Sequence, residues 1–562
     1  MVSAQRRHVW VSLWPWLGVA VFLGLVFFHP FARVLYLGLR LLVVQGIDRQ
    51  GWAVVRSATA FTFYQATLST LLTLGIGLPA AYLFARYRFF GKGWLRLLTA
   101  IPFMLPTVVV AAGFNAFLGP RGWLNLGLMQ AFGLSAPPIP FVGTLGAILL
   151  AHMFYNTTIV IRLVGNALAH LDPRLEEAAR SLGADTRRVL WNVTRPLLRP
   201  SLLAATLLVF IFDFTSFGVI LLLGGARFAT LEVAIYLQTV QFFNLPLAAV
   251  LSLVQLTCTL IFAFLYSRVT ARLSVIAMPK PAALNLRAPL HWGEKGYVVL
   301  VSLLLVVLFV LPLLSLPLRS VTRLEANRGE RGTVHYGITL DYYRELFVNR
   351  RGSLFYVPPL RAMGTSLGYA ALTVLLALLL GLPAARALAR PGVVEQWLDP
   401  LVMLPLGASA VTLGLGFILA YGRWLTSPLF VPLAHTLIAL PFVIRSLQPP
   451  LASIPPRLRE AAMVLGASPR QVWFSVDWPI VRRALLSAAI FAFTVSLGEF
   501  GATSLVARPE YPTLPLAIAR FLSQPGGLNY GQAMAMATIL MTVCGVGIVL
   551  LERLRLPGMG EF

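Results

Sequence analysis

The sequence predicts an all-α integral membrane protein: twelve transmembrane helices arranged as two parallel six-helix repeats. Three observations predict it. The 562 residues are 58% hydrophobic and only 12% charged, which leaves too little polar surface for a water-soluble domain. Apolar runs of about 18 residues or more recur along the whole chain, each long enough to cross a bilayer core as a helix. The second half of the chain also repeats the first.

The runs fall near residues 11–28, 62–85, 97–118, 142–163, 201–223, 246–267, 296–317, 364–389, 397–421, 430–448, 484–507 and 532–552. They are unbroken and apolar, whereas the strands of a membrane barrel alternate in polarity and are about half as long, so they select helices. The first run follows Arg6 and Arg7 and resembles a signal peptide at a glance. Phe27, Phe28 and His29 stand where a small-residue cleavage site would be needed, so it reads as a retained first helix.

The net charge of +25 is placed by topology. An even number of spans puts both termini on one side, and most of the 45 Lys and Arg residues fall on that side. Much of the remainder lies in one long loop, 318–362, beside Glu325, Glu330, Asp341 and Glu345. The bias places both termini and the short basic loops in the cytoplasm. A basic stripe interleaved with aromatics is absent from the sequence, so nucleic acid is not an expected partner, whereas lipid is. Cys258 and Cys544 both lie in apolar runs, and neither a disulfide framework nor a metal site is expected.

The repeat is carried by many anchors. Leu150-Ala151-His152 recurs as Leu433-Ala434-His435, an offset of 283 residues (433 less 150). The same offset relates Glu177-Ala178-Ala179 to Glu460-Ala461-Ala462, Gly183 to Gly466 and Pro196 to Pro479. It still holds from Phe217-Gly218 to Phe500-Gly501 and from Thr230-Leu231 to Thr513-Leu514. Earlier, Gly77-Leu78-Pro79-Ala80-Ala81 recurs as Gly381-Leu382-Pro383-Ala384-Ala385, an offset of 304 (381 less 77). Six spans per copy give both copies the same orientation, related by an axis along the membrane normal, with the natural solute path between them. The division expected is a first half at 1–272, a cytoplasmic linker at 273–295 and a second half at 296–562.

The copies match best in two cytoplasmic loops, 172–197 and 453–480. Asp172-Pro173 supplies an N-cap and a first helical position, predicting a helix to about Leu182. Gly183 then provides the backbone freedom for a sharp turn, and Asp185 can cap a second short helix. Ser468-Pro469 has that capping role in the second copy. Ala178, Ala179, Ala461 and Ala462 leave a smooth face for close approach, edged by Glu177 and Glu460.

These loops resemble the EAA motif of permease subunits in binding-protein-dependent ABC importers. That motif reads Glu-Ala-Ala, three residues, Gly, nine residues, an aliphatic residue, any residue, Leu and Pro. Arg195 and Trp478 replace its Leu. The resemblance implies a type I ABC importer permease core in each half. It also implies that each loop docks on one of two copies of an ABC ATPase, and that an extracytoplasmic binding protein delivers the solute. The chain carries no Gly-x-x-x-x-Gly-Lys-Ser/Thr phosphate loop, so ATP and Mg would sit on the partner and this chain would be non-catalytic. The setting implied is the bacterial inner membrane.

Of the twenty acidic residues, Asp213 and Glu499 are the two assigned inside spans. Membrane-buried charge is costly and marks a pathway or a partner. Asp213 and Ser216 correspond to Ser496 and Glu499, so acid and hydroxyl exchange places about one helical turn apart and are expected to share a helix face. With Gly218 and Gly501, which permit close helix crossing, they are the pathway-lining candidates. His152 and His435 read as helix-packing hydrogen-bonders. Phe214 to Gly218, Leu223-Gly224-Gly225 and Thr230 to Tyr236 look most like thiamine permeases within the thiamine and ferric-iron group. The run Ser496 to Thr503 also resembles molybdate and sulfate permeases, which carry anions. An ion-coupled secondary transporter would leave both loops unexplained, and a membrane enzyme finds no acid–base cluster of recognisable spacing in Glu325, Glu330, His335 and Asp341.

Overall fold

The computed structural model describes residues 15–271, 286–324, 337–348, 358–389, 392–425 and 427–554. Residues 273–285 of the linker, and Glu325, Glu330 and His335 of the long loop, lie outside them.

Numbered along the chain, the first copy holds α1 (Pro15–Gln45), α2 (Arg49–Arg86), the short α3 (Lys92–Ala100) and α4 (Thr107–Leu118), α5 (Leu145–Ala169), α6 (Pro173–Ser181), α7 (Arg195–Phe214), α8 (Leu231–Val240) and α9 (Leu245–Ala271). The second holds α10 (Trp292–Ser320), α11 (Pro359–Leu388), α12 (Val393–Met403), α13 (Ala410–Tyr421), α14 (Phe430–Ala452), α15 (Pro456–Val464), α16 (Trp478–Gly498), α17 (Gly501–Val506), α18 (Leu514–Ser523) and α19 (Gly527–Leu554).

Among the described residues, ten helices are long and apolar enough to cross a membrane, not the twelve expected. The two missing are the third span of each copy, 97–118 and 397–421. Pro102 opens a 3₁₀ turn at Pro102–Met104, and Pro405 lies in its counterpart at Leu404–Gly407. Proline cannot donate the helical N–H and crowds the preceding turn, so both helices stop and restart. Ser409 caps the restart of α13, accepting from Thr412 N at 3.0 Å. The spans assigned to 201–223 and 484–507 also stop early, at Phe214 and Gly498.

The two copies are interlocked. The inner part of α1 (Trp16, Val19, Phe22, Leu23, Val26 and Phe27) is buried in the core of the second copy. In return α10 buries Val301, Leu305, Leu308 and Phe309 in the core of the first, with Phe309 and Phe154 ring centroids 5.4 Å apart. Small residues make these crossings possible. A Cβ on Gly113 of α4 would lie 2.9 Å from the Pro312 carbonyl oxygen of α10. One on Gly416 of α13 would lie 3.1 Å from Pro30 Cβ of α1. Beyond α10, Thr322–Arg323 pairs antiparallel with Gly337–Ile338, and Tyr342 is buried where Gly531 of α19 leaves no room for a Cβ.

Candidate solute pathway and coupling surface

Each of the two matched loops is a surface helix, a left-handed glycine and a second short helix. In the first, Asp172 caps α6 by accepting from Arg174 N at 3.1 Å, Gly183 takes φ +83°, and Asp185 accepts from Arg188 N at 2.8 Å. In the second, Gly466 takes φ +84°, and Ser468 and Gln471 form a reciprocal capping box at the start of Pro469–Val472. Glu177, Ala178, Glu460 and Ala461 are exposed, while Ala179 and Ala462 are half-buried. Leu182 and Leu465, just before the glycines, stand 89% and 87% exposed. Covering one leucine is worth about 1.5–3 kcal/mol, so both helices offer a place for a partner. Pro196 and Pro479 stand just after the π-turns Leu190–Thr194 and Trp473–Asp477, where the regular helix bonding is already interrupted before α7 and α16 continue.

The pathway candidates gather at the two interrupted helices. Asp213 is fully buried near the end of α7, and Asn156 Nδ2 donates to its Oδ1 at 2.7 Å. The Asp213 Oδ2 has no hydrogen-bond partner. Thr70 faces it, but its hydroxyl donates to the Ala66 carbonyl at 2.7 Å instead. Ser216 lies beyond the helix end, so it does not share a helical face with Asp213 as the spacing suggested. The two meet through His152, whose Nε2 is 2.9 Å from Ser216 Oγ and whose Nδ1 is 3.3 Å from Asp213 Oδ1 and 2.9 Å from Ser69 Oγ.

The second copy uses its histidine in the same way. His435 Nδ1 is 2.7 Å from Ser496 Oγ, and its Nε2 is 2.8 Å from Thr503 Oγ1 and 3.3 Å from Glu499 Oε2. Glu499 is fully satisfied: Oε1 accepts from Ala502 N at 2.8 Å, and Oε2 from Thr503 N at 3.0 Å and Thr503 Oγ1 at 2.6 Å. It thereby caps α17, a role that favours negative charge at a helix start.

The breaks meet between the copies. Phe217 and Phe500 stack with centroids 5.8 Å apart and planes 24° from parallel, and Tyr236 abuts Phe217 at 5.4 Å. A Cβ on Gly218 would collide with Thr107 of α4, and one on Gly501 would lie 2.9 Å from Ala410 Cβ of α13. Both rings are buried.

Sequence reasoning missed two features. Thr62 Oγ1 of α2 accepts from Leu231 N at 2.9 Å, and Ser366 Oγ of α11 accepts from Leu514 N at 2.7 Å, each seating a helix that follows a break. The offset of 304 pairs these hydroxyls, so the signal was present. The assignment of only two acids to spans also needs correction. Asp399 falls inside the run 397–421 and pairs with Arg445 at 3.0 Å. Glu232 in α8 is fully buried, with Gln255 Nε2 donating to its Oε1 at 3.0 Å.

Known proteins are similar to this chain along most of its length. A thiamine transport system permease protein of Brucella abortus (strain 2308) is 29% identical over 514 residues, covering 90% of this chain and 88% of that protein. Those of Haemophilus influenzae and Escherichia coli (strain K12) are each 28% identical, covering 86% and 91% of this chain and 86% and 90% of their own lengths. Residues 74–275 and 377–559, most of each half, match one family, so this chain belongs to the binding-protein-dependent transport system inner membrane components.

Proposed function

We propose that the chain is the permease of an ATP-driven thiamine importer, with thiamine preferred to ferric iron or an oxyanion. The observation that carries the transport role is the pair of matched surface helices, α6 and α15, each presenting an exposed leucine beside a left-handed glycine. Two equivalent docking faces on one chain suit the two ATPases of a dimer, which would hold ATP and Mg. An extracytoplasmic binding protein would supply the solute. The relatives' shared name favours thiamine, and so does the chemistry at the junction. Thiamine is an aromatic cation, and Phe217, Phe500 and Tyr236 form an aromatic cluster whose ring faces would become available to it once the Phe217–Phe500 stack opens.

In this reading the broken passages α3–α4 and α12–α13 each complete one crossing. That gives twelve crossings, both termini in the cytoplasm, and halves at 1–272 and 296–562 joined by the linker 273–295. The pathway runs past Asp213, Ser216, Gly218, Ser496, Glu499 and Gly501, and the loops containing Glu177 and Glu460 carry ATPase closure into the membrane.

Mild-detergent purification from native cells, followed by mass spectrometry, tests this. Two ATPase copies per chain and a binding protein loaded with thiamine are the expected result. An oxyanion or ferric iron on the binding protein overturns the solute, and a chain that reproducibly emerges alone from intact membranes points to an ion-coupled secondary transporter.

A further inference from the structure

Two charge clusters tie the coupling helices to the bundles above them. In the first copy Glu176, one residue before the motif glutamate, turns inward from α6. Its Oε1 pairs with the Arg86 guanidinium at the end of α2 and accepts from Thr194 Oγ1 at 3.0 Å. In the second copy Asp477 is fully buried. Its Oδ1 accepts from Arg459 Nε of α15 at 2.7 Å, and its Oδ2 lies 3.5 Å from a terminal guanidinium nitrogen of Arg386, near the end of α11.

Positions 459 and 477 lie 283 residues beyond 176 and 194. The acid has therefore moved from the coupling helix to the root of the next membrane helix, and a base has taken its place. The three-way connection is the same in both copies. It joins the coupling helix, the cytoplasmic end of the copy's second helix, and a π-turn. Thr194 and Asp477 are the last residues of the π-turns Leu190–Thr194 and Trp473–Asp477, which lead into α7 and α16. Such turns interrupt regular helix bonding and recur at functional sites.

A coupling helix held only through its loop would pivot on Gly183 or Gly466. The clusters remove that freedom: the Arg86–Glu176 and Arg459–Asp477 pairs are shielded from solvent and costly to break from one side, while the Arg386 side chain is half exposed and adds a looser contact. We propose that Arg86–Glu176–Thr194 and Arg386–Asp477–Arg459 are tethers that pass each coupling helix's displacement to α2 and α7, and to α11 and α16. They are positioning residues, and the inference rests on the coupling role proposed above.

The test uses the whole transporter in proteoliposomes and reads ATP hydrolysed per thiamine imported. Glu176→Gln and Asp477→Thr are each expected to retain the ATPase and its hydrolysis while the ratio rises at least about fivefold, the low end for coupled sites. Arg459→Glu combined with Asp477→Thr rebuilds the first copy's polarity with Arg386 as the base, and is expected to restore the wild-type ratio. Should Asp477→Thr fail to fold, Asp477→Asn gives the same reading. A wild-type ratio in both single variants overturns the tethers, as does a raised ratio that the double variant leaves unrestored, or loss of the ATPase from either single variant. Absence of the ATPase from the wild-type chain fails the permease reading itself.

Discussion

The two copies build the same node with different acids. His152 and His435 hold equivalent positions, and each joins the end of one helix to the segment beyond the break; His152 also meets Ser69 of α2, whereas in the second copy Ser496 donates to Thr373 of α11 instead. The acid differs. Glu499 follows the helix end and spends both oxygens capping α17, whereas Asp213 precedes it and keeps Oδ2 unpartnered. Duplication has preserved the hydrogen-bond hub and let the charge migrate. At the tethers the charge has migrated too, from Glu176 to Asp477. In this molecule a matched site is defined by the contact it makes, not by which residue carries the charge.

Substitutions at the paired positions test how far the two copies are equivalent. The largest effect is expected from Glu177→Ala with Glu460→Ala. Charge-assisted contacts are worth about 1.5–3 kcal/mol each, so ATPase retention in pull-downs should fall more than about tenfold while the chain still elutes as a folded species. Next, Gly113→Ala should destabilise the purified protein by about 1–3 kcal/mol in thermal unfolding, and by more than Gly416→Ala. The added methyl meets the Pro312 carbonyl oxygen at 2.9 Å in the first case, and Pro30 Cβ at 3.1 Å and its carbonyl oxygen at 3.2 Å in the second.

Glu499→Gln replaces an acceptor facing an N–H with a donor, costing about 1–3 kcal/mol in the same assay. Asp213→Asn exchanges one unpartnered atom for another and should cost less than about 1 kcal/mol. Equal losses would mean that the two acids share one role after all. Intermediate effects, between those of Glu499→Gln and Asp213→Asn, belong to Thr62→Val and Ser366→Ala. Each removes a side-chain acceptor from a helix start, at about 0.5–2 kcal/mol, and the two should agree closely.

Much of this was legible in the sequence because the repeat marks it. Gly183 and Gly466 announce their left-handed turns, and the constant offset of 283 joins the loops, the histidines and the aromatic pair. What stayed hidden is of two kinds. Hydropathy averages over a window, so Pro102 and Pro405 vanish inside runs that still look long and apolar, and the broken third spans read as whole. The second kind is distance along the chain: nothing local in Arg86 or Glu176 reveals that they meet across 90 residues. The motif glutamate beside Glu176 drew the eye to the residue that faces outward.

The interlocked helices have a consequence for how the protein can move. Cutting the chain at residue 272 separates the sequence repeats but not the packed bodies, because the inner part of α1 travels with the second copy and α10 with the first. Any rocking of one body against the other must therefore be absorbed where the chain passes between them. One crossing lies within α1, between Phe27, in the core of the second copy, and Val34, in the core of the first; the other lies between α10 and α11. The two copies are packed like clasped hands: drawing them apart would expose the apolar faces that α1 and α10 bury in each other's core.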